Sequence, residues 1–302
     1  MTTETLYNAL SSVLGSGNIR RNELLSHHTY TKLGGKADIA IFPRTIQDVK
    51  HAVDLVRSTA TALTVLGNGS NVIVTDEGIR GVTMILTGLD EIRREGKRVI
   101  ADCGAPIIGV SNFAYAQSLT GLEFACGIPG SVGGAVYMNA GAYGGEVSDV
   151  LVSALVLTRD GETLERRNDE LDLSYRHSNV EENGDIVLQA TFALDCGDPV
   201  AIRAKMDELT FLRTSKQPLE YPSCGSVFKR PPGYFAGKLI QDAGLQGLRI
   251  GGAEVSTKHA GFIVNVNDAT ASEYIQVIEA VQAAVKEKFG VALEREVRII
   301  GD

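Results

Sequence analysis

A glycine-rich stretch between residues 121 and 145 constrains the fold of this chain more than any other feature. It reads Gly-Leu-Glu-Phe-Ala-Cys-Gly-Ile-Pro-Gly-Ser-Val-Gly-Gly-Ala-Val-Tyr-Met-Asn-Ala-Gly-Ala-Tyr-Gly-Gly. Glycine adopts backbone conformations that other residues avoid, and it lets main-chain groups approach a bound molecule closely. The stretch therefore suits a large anionic ligand, with tight turns in a β-rich domain as the alternative.

A second glycine loop, Gly67-Asn-Gly-Ser-Asn71, lies between the apolar segments 62–66 and 72–74. A Rossmann fingerprint needs a helix after the glycine turn and a third glycine in register, but here Val72 begins another strand. The Rossmann interpretation therefore fails. A strand-loop-strand can still offer amide and hydroxyl donors to a pyrophosphate. The two loops together predict a dinucleotide that is held by backbone groups rather than by a helix end.

Composition and charge exclude several classes of protein. The 302 residues, 44% hydrophobic and 22% charged, are enough for two or three domains. A net charge of -8 and a pI near 5.3 argue against a general nucleic-acid or anionic-membrane surface. The four cysteines lack zinc-type spacing, which predicts buried thiols in a reducing compartment. The first residues lack a signal-peptide pattern and no apolar run is long enough for a membrane span, so we expect a cytoplasmic protein.

The periodicity of apolar residues predicts an α+β architecture. A hairpin is predicted over 152–166, with its turn at 159–162, and the segment 291–300 is predicted as one strand with Glu294 and Glu296 on one face. His27 and His28 are predicted to be structural loop residues, because no other ligand-type cluster accompanies them. The other helices are predicted at 4–14, from Thr45, and at 106–119, 198–212, 236–243 and 272–289, and the other strands near 39–42, 62–66, 81–86, 98–102, 249–255 and 262–267.

A local basic patch distinguishes the segment 213–238 from the acidic remainder of the chain. It contains five basic residues against the single acidic Glu220. The residues 222–228 beside it are small and turn-forming, as is typical of a binding loop. An anionic substrate would need such a patch, although charged runs are more often solvated surface.

Five motifs, in this order along the chain, resemble the UDP-N-acetylenolpyruvoylglucosamine reductase family. They are Gly67-Asn-Gly-Ser-Asn71, Gly127-Ile-Pro-Gly-Ser-Val-Gly-Gly134 with Met138-Asn-Ala-Gly-Ala-Tyr-Gly144, Tyr175-Arg-His-Ser178, Cys224-Gly-Ser-Val-Phe-Lys229 and Leu293-Glu-Arg-Glu-Val297. The resemblance extends from about residue 24 to the C-terminus. Each motif alone is weakly specific, whereas the ordered set is highly specific.

The resemblance implies a vanillyl-alcohol-oxidase-like (PCMH-like) FAD fold, with two FAD-binding subdomains at 1–80 and 81–197. A C-terminal α/β substrate-binding domain at 198–290 and a strand at 291–302 that returns to the active site would complete it. The implied activity is NADPH-dependent, FAD-mediated reduction of the enolpyruvyl ether of UDP-N-acetylglucosamine to UDP-N-acetylmuramate. This reaction belongs to peptidoglycan precursor synthesis, and so to cell-wall biogenesis, cell shape and cell division. A monomer with non-covalent FAD, small-molecule substrates and no metal is expected.

The resemblance also implies the residues of the site. Arg176 would face the charge that develops on the substrate, Ser226 would donate the proton, and Glu296 would hydrogen-bond the developing enolate. The residues implied to line FAD are Gly67, Asn68, Gly69, Ser70, Asn71, Gly127, Ile128, Pro129, Gly130, Ser131, Gly133, Gly134, Asn139, Gly141, Ala142 and Gly144. Those implied to bind the substrate are Tyr175, Lys216, Gly225, Lys229 and Arg230.

Two departures qualify the resemblance. Arg230 stands where some relatives carry Asn, and the chain lacks the substrate-domain insertion with its tyrosine, which predicts the shorter, type II branch.

Two other functions stay open at this point: an oxidase of the same fold that uses oxygen, and a flavin- or nucleotide-sugar-binding module without turnover. The oxidase would need no basic cluster at 216–238, and the joint presence of Arg176, Ser226 and Glu296 argues against the binding module.

Overall fold

The structure is a computed structural model that describes residues 3–302. The chain divides into two compact units. Unit 1 comprises residues up to Arg21, Ile39–Asn68 and Gly81–Leu212, and unit 2 comprises Asn22–Asp38, Gly69–Arg80 and Arg213–Asp302. Each unit has its own hydrophobic core.

Two of the helices begin at threonine residues that cap them. Thr45 and Thr270 each accept a hydrogen bond from the third residue of the helix that follows, and that residue's carboxylate accepts one from the threonine amide in return. The α-helices are α1 (Thr3–Leu14), α2 (Ile46–Ser58), α3 (Ile107–Ala116), α4 (Val132–Tyr137), α5 (Val180–Asn183), α6 (Pro199–Lys216), α7 (Ala236–Asp242) and α8 (Ala271–Phe289).

The strands are mostly short and alternate with loops. They are β1 (Ile19–Leu24), β2 (Lys36–Ile41), β3 (Leu63–Leu66), β4 (Val72–Val74), β5 (Ile79–Ile85), β6 (Ile92–Glu95), β7 (Arg98–Asp102), β8 (Leu119–Thr120), β9 (Gly141–Ala142), β10 (Gly145–Glu146), β11 (Leu151–Leu157), β12 (Thr163–Arg167), β13 (Ile186–Ala193), β14 (Asp195–Cys196), β15 (Ser223–Ser226), β16 (Arg249–Ile250), β17 (Ala253–Val255), β18 (Phe262–Asn265) and β19 (Arg298–Ile300). The mixture confirms the predicted α+β content.

Unit 1 is built around a five-stranded antiparallel sheet in the order β12-β11-β13-β7-β6. The predicted hairpin is confirmed as β11 and β12, with Leu157 opposite Thr163 beside the turn. The strand predicted near 39–42, the helix predicted from Thr45 and the strand predicted at 62–66 are present in succession as β2, α2 and β3, and β3 pairs in parallel with β5. The central strand β13 was not predicted, although its buried residues Val187, Leu188, Ala190 and Phe192 supply much of the core.

Unit 2 contains a four-stranded antiparallel sheet in the order β15-β18-β17-β16. Helix α8 contributes the buried residues Tyr274, Val277, Ile278, Val281 and Val285 to the core of this unit. A separate parallel pair joins β4 to β19, with Val72 opposite Arg298. This pair places the end of the chain beside the second half of the Gly67–Asn71 loop.

Three predicted elements are wrong in detail. The segment 249–255 is a hairpin rather than one strand, because Gly251, with φ +54°, and Gly252 turn the chain between β16 and β17. The strand predicted over 291–300 is confined to β19. Residues 291–297 form no strand, and among them Arg295 makes an isolated bridge with Phe228. Helix α3 ends at Ala116 rather than near Leu119, where Ser118 has φ +55°.

Two structural features are absent from residues 3–302. No helix there is long and apolar enough to cross a membrane. No group of three or more histidine, cysteine, aspartate or glutamate side chains there is arranged to hold a metal ion. His28 instead lies with its Nε2 atom 2.8 Å from Oε1 of Glu23.

The carboxylate of Asp76 fixes the loop after β4 to the start of α8 within unit 2. It accepts hydrogen bonds from the amides of Ala271 and Ser272, at 2.8 and 2.9 Å, and from the Ser272 hydroxyl at 2.6 Å. These amides belong to the first turn of the helix, which has no intrahelical acceptors for them. Burial acts to raise the pKa of Asp76, but the hydrogen bonds from Ser272 and Ala271 outweigh it and the pKa is lowered.

Replacement of Asp76 by asparagine is expected to lower the free energy of unfolding by about 1 kcal/mol at neutral pH. A lowered pKa in the folded state means that the stabilisation is complete above the unfolded pKa, near 3.9, and is lost as the pH falls through the folded value. The difference between the proteins should therefore shrink below about pH 4. Urea denaturation at pH 7 and pH 3 measures it, with Glu77→Gln on the same loop as the control. An equal difference at both pH values would contradict the assignment.

Candidate active site

The two glycine loops meet within unit 1. The side-chain amide of Asn68 donates to the carbonyl of Pro129 at 2.7 Å. Gly67 lies so close to Ser131 that a Cβ atom on Gly67 would collide with the Ser131 hydroxyl. The φ of Gly67 is not in the left-handed region, so backbone conformation does not call for glycine at this position. The close approach of the second loop does.

A short helix begins inside the second loop, which the sequence analysis did not predict. The Ser131 hydroxyl accepts a hydrogen bond from the amide of Gly134 and caps α4. The amides of Val132 and Gly133 donate to the carbonyls of Ala105 and Cys103, at 2.9 and 2.7 Å. The expectation that the dinucleotide is held by backbone groups rather than by a helix end stays a prediction, although the second loop does contain the start of a helix. A serine followed three residues later by glycine is a weak capping signal, because glycine disfavours the helix that it would begin.

The chemistry of these loops fits a flavin dinucleotide. Small residues and hydroxyls line them, as suits a pyrophosphate bound by main-chain and hydroxyl donors. Gly144 lies later in the second glycine-rich stretch. The space beside its backbone is open, because a Cβ atom there would meet nothing within 4 Å. Gly144 also has φ +90° and follows Tyr143, with φ +53°, in the two-residue turn between β9 and β10. Glycine is therefore placed where the backbone must turn and remain accessible.

Asn139 is buried and its side chain is engaged within the protein. Its Oδ1 atom accepts from the amide of Ser148 at 2.9 Å, and its Nδ2 atom donates to the Ser174 carbonyl at 3.1 Å. The residue also has φ +43° and 0% exposure. Its predicted contact with FAD stays a prediction, whereas its contacts fix the glycine loop to the segment that carries Arg176.

Arg176 occupies the third position of a four-residue turn from Ser174 to His177. The amides and carbonyls of these two end residues are mutually hydrogen-bonded at 3.1 Å. Arg176 has φ +56°, which a turn of this kind normally assigns to glycine or asparagine. A left-handed conformation at a long side chain costs on the order of 1 kcal/mol and is often found at functional positions.

The Arg176 side chain faces the glycine-rich loop of unit 1. Its Nη2 atom donates to the Gly141 carbonyl at 3.2 Å, and its guanidinium carbon lies 5.2 Å from the centre of the Tyr175 ring. The Ser178 hydroxyl donates to the Tyr137 carbonyl at 2.5 Å, which fixes the other side of the turn. The predicted Arg176 is therefore brought together with the predicted FAD-binding residue Gly141.

Ser226 and Glu296 are brought together within unit 2. The amide of Glu296 donates to the carbonyl of Val227 at 2.8 Å, directly after Ser226. Ser226 is exposed between the buried residues Cys224 and Val227, and the intervening Gly225 has φ +78°. Glu296 is half-buried, and its own carbonyl accepts from the side chain of Asn71 at 3.1 Å. This network joins the predicted proton donor, the predicted carboxylate and the end of the first glycine loop.

Gly69 and Asn71 anchor that end of the loop in unit 2. The Gly69 carbonyl accepts from the amide of Tyr30 at 3.0 Å, and a Cβ atom on Gly69 would collide with the carbonyl of His28. The Asn71 carbonyl accepts from the amide of Arg298 at 3.2 Å. The paired histidines thus lie in a segment that supports the loop.

The predicted substrate-binding cations have different surroundings in unit 2. Lys229 Nζ lies 2.5 Å from Oε1 of Glu294, a pairing that the sequence analysis missed. The guanidinium of Arg230 lies 3.9 Å from the centre of the exposed Phe235 ring. Lys216 is exposed at the end of α6. The pairing of Lys229 with Glu294 leaves no signal in the sequence, because 65 positions separate the two residues.

Replacement of Gly67 by alanine is expected to weaken FAD binding by about 10- to 100-fold. The new methyl group would displace the Ser131 hydroxyl from its capping position, and overpacking of this kind costs about 1–3 kcal/mol. Titration of deflavinated protein with FAD, followed by flavin fluorescence, measures the dissociation constant. Gly17→Ala is the control, because a Cβ atom there would meet nothing within 4 Å. Unchanged affinity in Gly67→Ala would show that the contact of the loops does not shape the FAD site.

Family models match both parts of the chain. Residues 37–166 match an FAD binding domain, and residues 217–300 match the C-terminal domain of UDP-N-acetylenolpyruvoylglucosamine reductase. A reductase of that name from Oceanobacillus iheyensis is 60% identical over 98% of this chain and 97% of its own. Another from Geobacillus kaustophilus is 59% identical over 99% of this chain and 98% of its own.

Solved structures agree with this result. The UDP-N-acetylenolpyruvylglucosamine reductase of Thermus caldophilus has a TM-score of 0.81 at 33% identity and covers 93% of this chain and 98% of its own. The glucose dehydrogenase Phl p 4.0202 has a TM-score of 0.53 at 14% identity, over 65% of this chain and 44% of its own, and shows the fold alone. The predicted FAD-binding fold and the predicted FAD cofactor are thereby confirmed. The chain belongs to the UDP-N-acetylenolpyruvoylglucosamine reductase family.

Proposed function

We propose that this chain reduces the enolpyruvyl ether of UDP-N-acetylglucosamine to UDP-N-acetylmuramate with the residues predicted from its sequence. The activity is that of the family to which the chain belongs, and the product is a peptidoglycan precursor. The observation that carries the residue assignment is the Arg176 turn, where an arginine occupies a left-handed position normally taken by glycine and faces the glycine-rich loop.

When bound, FAD would supply the hydride chemistry that links NADPH to the terminal alkene carbon of the substrate. Gly67, Asn68 and the segment 127–144 would hold it in unit 1, since the two loops are in contact there, Asn68 with Pro129 and Gly67 with Ser131. Gly69, Ser70 and Asn71 would continue the same loop. The further predicted contacts are Gly127, Ile128, Pro129, Gly130, Ser131, Gly133, Gly134, Gly141, Ala142 and Gly144.

Arg176 would stabilise the negative charge that hydride addition leaves on the substrate. The addition at the terminal carbon places an electron pair on the neighbouring carbon, which is conjugated with the carboxylate. A fixed guanidinium stabilises such a charge without reorganising, because the turn and the Gly141 carbonyl already hold it.

Ser226 would protonate that carbon, and Glu296 would hydrogen-bond the developing enolate. Serine is a weak acid, but a carbanion-like centre is a strong base, so the transfer is downhill in the required direction. The bond between the Glu296 amide and the Val227 carbonyl keeps the two residues in a fixed relation. Unit 2 would therefore supply both groups that complete the reduction.

Tyr175, Lys216, Gly225, Lys229 and Arg230 would bind the nucleotide-sugar part of the substrate. The ammonium group of Lys229 is oriented by Glu294, and the guanidinium of Arg230 by the Phe235 ring. Cations held in this way can meet a diphosphate with little loss of side-chain freedom.

Three wider properties belong to the same proposal. We expect a monomer, and we expect the division into subdomains at 1–80 and 81–197, a substrate domain at 198–290 and a terminal strand at 291–302. A cytoplasmic location agrees with the four free thiols, because disulfides are rare in reducing compartments.

A product analysis tests the activity. The protein, NADPH and the enolpyruvyl substrate should yield a nucleotide sugar that is heavier by two hydrogens, and in deuterated water the carbon that Ser226 would protonate should carry deuterium. Oxidation of NADPH that needs oxygen and leaves the enolpyruvyl ether unchanged would support an oxidase instead. Binding of both nucleotides without turnover would support the binding module.

A further inference from the structure

The strand that carries Ser226 is irregular at the residues just before it. In the pairing of β15 with β18, Ser223 lies opposite Val264 and Ser226 lies opposite Phe262. Two residues of β15, Cys224 and Gly225, therefore face the single residue Ile263. This is a β-bulge, which commonly redirects a side chain beside an active site.

The bulge lies opposite Ile263, between two hydrogen-bonded positions of the sheet. On one side of this point the Gly261 carbonyl accepts from the amide of Val227, and on the other the amide of Asn265 donates to the Pro222 carbonyl. Backbone groups alternate in direction along a strand, so the carbonyl of Ile263 also faces β15. A carbonyl oxygen has two lone pairs, so besides its place in the sheet this carbonyl can accept a hydrogen bond from a donor outside the two strands.

The hydroxyl of Tyr274 supplies that donor. It donates to the Ile263 carbonyl at 2.5 Å, and Tyr274 has 0% exposure within the core of unit 2. The residue projects from α8, so the hydrogen bond joins the helix to the sheet at the bulge. Burial raises the pKa of Tyr274 well above its usual value, so the phenol keeps its proton.

The thiol of Cys224 completes this arrangement. Its Sγ atom lies 3.3 Å from the Tyr274 hydroxyl oxygen, whose own proton goes to Ile263. The thiol is therefore the donor in this second contact. Burial raises the pKa of Cys224 to about 12, which keeps it as a neutral S–H group. The Tyr274 hydroxyl thus contacts both strands, at Ile263 of β18 and at Cys224 of β15. Cys224 lies two residues before Ser226.

We propose that Tyr274 is the positioning residue for Ser226, acting through the Cys224–Gly225 bulge. The phenol does not contact the substrate and takes no part in proton transfer. It holds the two strands in the shifted register that leaves Ser226 exposed while Cys224 and Val227 are buried. The inference rests on the proposed function, because it assumes that Ser226 is the proton donor.

The test is Tyr274→Phe in the FAD-loaded protein, with both half-reactions followed separately under anaerobic stopped flow. Without the hydroxyl, the Ile263 carbonyl loses this donor and the Cys224 thiol loses its acceptor, so the bulge relaxes. A displacement of about 1 Å at a catalytic group costs on the order of 100-fold, so we expect reoxidation by the enolpyruvyl substrate to slow by about 10- to 100-fold. Reduction by NADPH should stay within twofold of its original rate. Tyr221→Phe, at an exposed tyrosine of the same unit, is the control.

A double-mutant comparison separates positioning from general damage. In a Ser226→Ala background, Tyr274→Phe should have no further effect on reoxidation, because the group that it positions is gone. An equal loss in both backgrounds, or an equal slowing of both half-reactions, would overturn the proposal. If Tyr274→Phe does not fold, Cys224→Ala removes the other contact and should show the same selective loss at smaller size; wild-type reoxidation in that variant would also overturn it.

The same experiment distinguishes failure of the inference from failure of the proposed function. If Ser226→Ala itself reoxidises at the original rate, the proton-donor assignment is wrong and the proposal falls with it. If Ser226→Ala is slow while Tyr274→Phe is normal, the donor assignment stands and only the role of Tyr274 is wrong.

Discussion

Replacement of Ser226 by alanine is expected to slow reoxidation of the reduced flavin by the enolpyruvyl substrate by about a thousandfold. A positioned proton donor contributes roughly 10²–10⁴-fold to such a step, and alanine removes the hydroxyl while leaving the bulge and Gly225 in place. Hydride transfer from NADPH needs no proton at this position and should keep its rate. Anaerobic stopped-flow measurement of the two half-reactions tests both statements.

Ser223→Ala is the matched control, since it removes a hydroxyl from the same strand three residues earlier. It should leave both half-reactions within a factor of two or so of the original. Ser226→Ala with unchanged reoxidation, or with both half-reactions slowed alike, would mean that Ser226 is a turn residue rather than the donor.

Replacement of Arg176 by methionine is expected to lower kcat/KM for the enolpyruvyl substrate by about 10²–10³-fold. Loss of one preorganised group that stabilises a developing oxyanion typically costs this much. Methionine retains a long side chain and the same left-handed strain at φ +56°, so the turn itself is preserved. Steady-state kinetics with the enolpyruvyl substrate varied, together with the rate of flavin reduction by NADPH, measure the effect.

Arg203→Gln controls for the removal of a positive charge from unit 1. Arg203 is exposed and pairs with Asp207 on the surface of α6, where an ion pair contributes little to stability, so its loss should be nearly neutral. Arg176→Lys should recover part of the loss, because the charge returns without the planar fork of donors. If methionine raises KM alone and leaves kcat unchanged, Arg176 binds the ground state and does not stabilise the transition state.

The sequence was sufficient to predict the elements that neighbouring residues determine by their own pattern. Threonine at position 45 signals a helix start, and the hairpin at 152–166 follows from alternation around Asp160-Gly161. Gly67 and Ser131 were both predicted to lie at the cofactor, and the structure brings their loops into contact. Their actual binding of FAD stays a prediction.

The remaining features depend on contacts between distant parts of the chain. Helix α4 begins in a glycine-rich segment where propensity is against it, and the amides of Val132 and Gly133 are instead satisfied by the carbonyls near Cys103. Tyr274 reads as an ordinary core position of an amphipathic helix, and only the shifted register opposite Ile263 reveals its hydroxyl as a partner. The end of the chain was predicted as a long strand because apolar alternation does not report how many partners a strand finds.

The central claim is that this chain couples NADPH oxidation to reduction of an enolpyruvyl nucleotide sugar. The most direct measurement is an anaerobic titration of the purified protein, followed through the flavin absorbance band. NADPH should bleach the band, and the enolpyruvyl ether of UDP-N-acetylglucosamine should restore it rapidly in the absence of oxygen. A band that NADPH bleaches but only oxygen restores would contradict the claim and indicate an oxidase, and a protein that never carries the band would contradict the FAD assignment.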